Sequence, residues 1–138
     1  MALPHIAPRF DSPIVRPFWD ALANGELRLP ACSVCGAWQW YPYEFVKCHD
    51  DAHHEWKVLP QTATVFTFTV VHRSLMPDGD QGVVPYVAAL VEPDGAPGVR
   101  LATVLTNLGG REPKIGMRVR LALTPAGDYS IPAFEPCA

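Results

Sequence analysis

The run Thr64-Val65-Phe66-Thr67-Phe68-Thr69-Val70-Val71 decides the fold. It is built almost entirely of β-branched and aromatic residues, which fit a pleated, half-buried surface. Successive side chains of a strand point to opposite faces, so Phe66, Phe68 and Val70 share one face and Val65, Thr67, Thr69 and Val71 the other. The aromatic face is expected to point into a core, and a strand this long is expected to bend. Downstream, further strands are expected at 85–91, 99–105, 117–123 and 128–134, separated by clusters of Gly, Pro and Asp. Five strands closing on themselves predict a small OB-like barrel. Strand count alone also fits an SH3-like barrel or a small sandwich. Most of the 15 prolines fall at element ends, where the missing N–H does least harm.

Upstream of the strands, Asp11-Ser12-Pro13 offers an N-cap followed by proline at the first helical position, and Asn24-Gly25 offers a left-handed stop. A helix of about three turns is predicted between them. Ile14, Val15, Phe18, Trp19 and Leu22 recur on one face of it. Two readings of that stripe stand: it packs on the protein's own core, or Phe18 and Trp19 meet a partner. The whole chain reads as mainly β, with an N-terminal helical segment (1–26), a zinc ribbon (27–58) and a five-stranded OB-fold domain (59–138). No internal repeat or low-complexity segment interrupts it.

The 138 residues suit one ordinary domain or two very small ones, and 49% apolar content is enough for a core. A charged fraction of 18% and a net charge of -3 leave no excess of Lys and Arg to neutralise a phosphate backbone, which argues against generic nucleic-acid binding. The longest apolar stretch, 64–71, falls far short of the roughly 18 residues of a membrane helix. Pro4, His5 and Pro8 leave the N-terminus with neither a basic start nor an apolar h-region. A cytoplasmic protein without a membrane partner is therefore expected.

Three of the four cysteines lie within 32–48, so metal chemistry is a better reading than a disulfide framework. In Cys32-Ser33-Val34-Cys35-Gly36, two intervening residues let both thiolates converge on one ion and the glycine permits the tight turn. Cys48 follows after twelve residues, within ribbon range. The fourth ligand is open among nearby groups: His53, at Cys-x4-His spacing, is favoured, with Asp51 and His54 behind it. The competing reading is a knuckle that has lost its metal. A redox C-x-x-C is disfavoured because no βαβ unit follows it. Zinc held by four protein ligands would be structural, since no position stays open for substrate. Cys137 reads as an incidental thiol.

Taken together, these residues resemble a family that joins an N-terminal helix and a rubredoxin-like zinc ribbon to an OB-fold. The resemblance covers nearly the whole chain. It rests on Pro17-Phe18-Trp19, Gly25-Glu26-Leu27, Leu29-Pro30-Ala31-Cys32-Ser33-Val34-Cys35-Gly36 and Tyr41-Pro42. Further along it rests on Val65-Phe66-Thr67-Phe68-Thr69-Val70-Val71-His72-Arg73, Pro85-Tyr86-Val87-Ala88-Ala89-Leu90-Val91-Glu92 and Ile115-Gly116-Met117-Arg118-Val119. Where the family usually carries C-P-x-C, this chain has Cys48-His49-Asp50-Asp51. The resemblance implies an accessory subunit of a thiolase-like enzyme that stabilises its partner and helps form the acyl-CoA site. A second branch of the family accompanies hydratases of the hot-dog fold.

No residue set pairs a free nucleophile with a base, so no catalytic residue is assigned. Arg73 is the candidate for a CoA phosphate or a partner carboxylate, because a guanidinium grips either one bidentately; a solvated strand end is the alternative. Arg111, Lys114, Arg118 and Arg120 form a looser basic set that reads as soluble surface. A nucleic-acid-binding OB module would use Phe66 and Phe68 as stacking platforms, against their expected inward direction.

Overall fold

Pro17 sets where the helix begins. A helix starting at Pro13 would hold Pro17 in its interior, where the missing N–H and the ring clash break the ladder. In the computed structural model, which describes residues 12–73, 84–126 and 129–137, residues 13–15 form a turn. The Arg16 N–H bonds the Ser12 carbonyl at 3.1 Å, and α1 runs Arg16–Ala23 with Pro17 in its first turn. The expected three-turn helix is therefore shorter and uses no side-chain cap; Asp11 lies outside the described residues. Its end follows the sequence reading. Glu26 N–H bonds the Ala21 carbonyl at 2.8 Å and Gly25 N–H the Leu22 carbonyl at 3.0 Å, a Schellman closure made possible by Gly25 at φ 75°.

Strands β1 (Leu27–Cys32) and β2 (His54–Leu59) pair antiparallel from Leu27↔Leu59 to Cys32↔His54. Five more strands follow: β3 (Thr62–Val71), β4 (Tyr86–Pro93), β5 (Leu101–Leu105), β6 (Arg118–Ala126) and β7 (Tyr129–Pro136). They close in the order β3-β4-β5-β7-β6. β3 pairs with β4 along most of its length and with β6 at Thr62–Thr64, while β5 and β7 run parallel. A closed five-stranded barrel of this order is an OB-fold, not a sandwich.

Within β3 the expected inward direction of Phe66 is corrected. Ala63 and Val65 are buried, but the β3–β4 register slips between Val65 and Thr67. A bulge at Phe66 reverses the alternation, so Phe68 and Val70 face the core while Phe66 is 49% exposed. Its ring lies under the Arg100 guanidinium, 3.9 Å from the centroid, and Arg100 also pairs with Glu92.

One core joins all the parts. Phe18 and Leu22 of α1, Leu27 and Leu29 of β1, and Val65, Val91, Leu101, Leu105, Val119 and Phe134 of the barrel form a single buried cluster. Phe18 is 4% exposed, and half-buried Trp19 meets it edge-on at 5.1 Å. Of the two readings of the helical stripe, packing on the chain's own core is the observed one. Phe18 thus offers no face to a partner.

The barrel is clasped where β3, β6 and the β4–β5 connection meet. Arg118 donates to both oxygens of Asp94, at 2.9 and 2.5 Å, and Thr62 Oγ1 donates to the same carboxylate. The Arg118 bonds, then the Thr62 bond, lower the Asp94 carboxyl to about 2, from an ordinary value of about 4. A depressed carboxylate contributes stability above about pH 4, and that contribution is lost as pH falls through about 2. The melting temperature of the wild-type chain should therefore drop more steeply between about pH 4 and 2 than that of Asp94→Asn. Parallel curves would show that the clasp adds nothing. Arg120 bonds Glu135 at 2.8 Å, so two of the four residues in the loose basic set are already paired.

Candidate metal centre

The chain bends sharply after β1. Gly36, at φ 74°, returns its N–H to the Cys32 carbonyl at 2.9 Å, a conformation that favours glycine. The turn brings Cys35 beside Cys32, and the 36–47 loop delivers Cys48 and His49 to the same place. One donor atom from each of Cys32, Cys35, Cys48 and His49 lies within 4.8 Å of the others. Cys32 Sγ is 3.5 Å from His49 Nδ1, and the Sγ atoms of Cys35 and Cys48 are 3.5 Å apart. A tetrahedral zinc with ordinary bond lengths separates two sulfurs by about 3.8 Å and a sulfur from a nitrogen by about 3.6 Å. Three sulfurs and one imidazole at these distances suit a structural zinc.

The electrostatics agree. The backbone N–H of Cys35, helped by that of Val34, lowers the Cys32 thiol to about 6 against the effect of burial. Hydrogen bonding with the Cys32 and Cys35 sulfurs pushes the Cys48 thiol up to about 11. The neighbouring sulfurs resist ionising together, and a divalent cation supplies the charge that lets them do so.

Among the described residues, the fourth donor in this group is His49, not the expected His53. Ser33 exchanges hydrogen bonds with the His53 backbone: the Ser33 N–H donates to its carbonyl at 3.0 Å, and its N–H donates to Ser33 Oγ at 3.1 Å. His53 is thereby fixed at the start of the β1–β2 ladder with its side chain exposed. His54 Nε2 donates to the Tyr43 carbonyl at 3.0 Å, and Asp51 is exposed in the 49–52 turn. Neither joins the cluster. A second feature escaped the sequence reading. Tyr41, Tyr43 and Phe45 of the 36–47 loop are exposed, with the last two rings stacked at 5.9 Å and Lys47 Nζ 4.3 Å from the Tyr43 ring centre. The visible signal was the alternation Tyr41-Pro42-Tyr43-Glu44-Phe45 in a segment with no strand partner. Arg73 stands exposed two residues past the end of β3.

Two family models account for this arrangement: the ChsH2 rubredoxin-like zinc ribbon domain matches residues 19–54 and the ChsH2 C-terminal OB-fold domain residues 56–124. The chain belongs to the ChsH2 zinc-ribbon and OB-fold family. It is 32% identical over 119 residues to the 3-oxo-4,17-pregnadiene-20-carboxyl-CoA hydratase alpha subunit of Mycobacterium tuberculosis. The match takes in 86% of this chain and 36% of that subunit, so the chain spans about a third of the relative's length. In fold it is similar to a chain of the Ltp2-ChsH2(DUF35) aldolase, with TM-score 0.79, 23% identity, and coverage of 99% of this chain and 100% of that one. A DUF35-family protein of unknown function from Sulfolobus solfataricus is also similar, with TM-score 0.63 and 15% identity over 91% of this chain and 87% of its own. No described helix is long and apolar enough to cross a membrane.

Proposed function

We propose that this chain is a non-catalytic accessory subunit of a thiolase-like acyl-CoA enzyme, stabilising that partner and helping to form its acyl-CoA site. The observation that carries the reading is the end-to-end fold match to a chain of the Ltp2-ChsH2(DUF35) aldolase, a name that joins a ChsH2 domain to a second protein. The chemistry of the site supports it. The ribbon cysteines face one another and His49, which suits a closed structural centre and leaves no thiolate poised over a substrate. Exposed aromatics on the ribbon loop are the residue type that anchors interfaces. Arg73, exposed two residues past the end of β3, is the side chain we assign to a CoA phosphate or a partner carboxylate. Zinc in the ribbon would hold the 36–47 loop in place, and the chemical step would belong to the partner.

A second reading is favoured by the 32% identity to a CoA hydratase alpha subunit: the partner would then be a hydratase subunit of the hot-dog fold. Co-expression separates the two. The chain should co-elute in one complex with a thiolase-like protein of the Ltp2 kind. Co-elution with a hot-dog hydratase subunit alone would select the second reading, and a monomer in both experiments would overturn both.

A further inference from the structure

The four donors of the metal cluster divide into two pairs with unequal access to solvent. Cys32, at the end of β1, is 2% exposed and faces His49. Cys35 and Cys48 are both exposed, with their sulfurs 3.5 Å apart. By spacing alone a disulfide would join Cys32 and Cys35 of the C-x-x-C, the redox pairing that the sequence disfavours for want of a βαβ unit. The fold shields one member of that pair from a dissolved oxidant and places the other beside Cys48.

We propose that Cys35 and Cys48 form a peroxide-sensitive pair whose oxidation expels the ribbon's zinc. This inference rests on the zinc reading and is independent of the partner. One thiolate attacks a peroxide oxygen, the O–O bond breaks, hydroxide leaves and the sulfur becomes a sulfenic acid. The second thiolate attacks that sulfur, forming the S–S bond and expelling a second hydroxide. Two electrons pass from the sulfurs to the peroxide, and both sulfurs give up their bonds to zinc. The sulfurs need to close by only about 1.5 Å to reach bonding distance. Cys32 and His49 then remain as two donors, too few for a closed four-ligand site.

The same geometry says what oxidation leaves intact. The two cysteines bracket the 36–47 loop, which is also tied internally: Gln39 Nε2 donates to the Phe45 carbonyl at 3.1 Å, and the Lys47 N–H donates to Gln39 Oε1 at 3.0 Å. A Cys35–Cys48 disulfide replaces the metal clasp with a covalent one, so the loop that presents Tyr41, Tyr43 and Phe45 stays closed. Cys137 lies after β7, and its substitution removes a competing thiol without touching the ribbon.

The test uses the full chain as Cys137→Ser, loaded with zinc and treated with one equivalent of hydrogen peroxide. A chromogenic chelator reads the zinc, and peptide mass spectrometry under non-reducing conditions reads the pairing. We expect one zinc released for each disulfide formed, a Cys35–Cys48 link as the main product, an unchanged β-sheet circular dichroism spectrum, and recovery on adding dithiothreitol and zinc. A dominant link involving Cys32, sulfinic acid without a disulfide, or zinc retained through oxidation would overturn the proposal. A chain that takes up no zinc would refute both the metal reading and the release.

Discussion

Cys32→Ser will purify with far less than one zinc per chain and with a disordered ribbon, whereas His53→Ala will keep its metal. Structural zinc sites of this type are worth about 10–16 kcal/mol of folding free energy. Losing one ligand of four removes on the order of 3 kcal/mol, or about a hundredfold in affinity. His49→Ala should fall in the same range, because His49 Nδ1 stands 3.5 Å from Cys32 Sγ. His53 contributes its backbone to Ser33 and leaves its side chain in solvent. Elemental analysis and chelator competition on these three variants and the wild type check this. Zinc lost from His53→Ala and retained by His49→Ala would reverse the ligand assignment.

The second large effect is on stability. Phe18→Ala should lower the unfolding free energy of the isolated chain by about 3–5 kcal/mol, the usual cost of emptying a buried aromatic site. That is a large share of the roughly 5–15 kcal/mol a domain of this size possesses. The ring is 4% exposed and lies 4.9 Å from Trp40 and 5.1 Å from Trp19. It fastens α1 to the core shared by ribbon and barrel. Urea denaturation followed by circular dichroism measures the loss. A variant as stable as the wild type would mean that Phe18 does not pack as described and would restore it as a candidate for partner contact.

The five barrel strands could be read from the chain because they alternate, while their number also fitted an SH3-like barrel or a small sandwich, and the closed order β3-β4-β5-β7-β6 decides for the OB-fold. The direction of Phe66 could not. A bulge adds one residue to one strand, and strict alternation carries no sign of where the phase reverses. The helix start shows a different limit: the cap at 11–12 is a sound local signal, but Pro17 outweighs it because proline is tolerated only in the first turn. In the ribbon, the three cysteines were legible through their spacing. The fourth donor was not, since spacing admits several nearby histidines and the choice is made by the β1–β2 register, which commits the His53 backbone to Ser33.

Acyl-CoA turnover by this chain alone, by the proposed thiolase-like partner alone and by the co-expressed pair tests the accessory-subunit account most directly. Consumption of an acyl-CoA and release of the CoA thiol are followed on the same preparations by chromatography. The account predicts no turnover above background from the isolated chain and more from the pair than from the partner alone. Turnover by the purified chain on its own, or a pair that forms no complex and gains no activity, would contradict it.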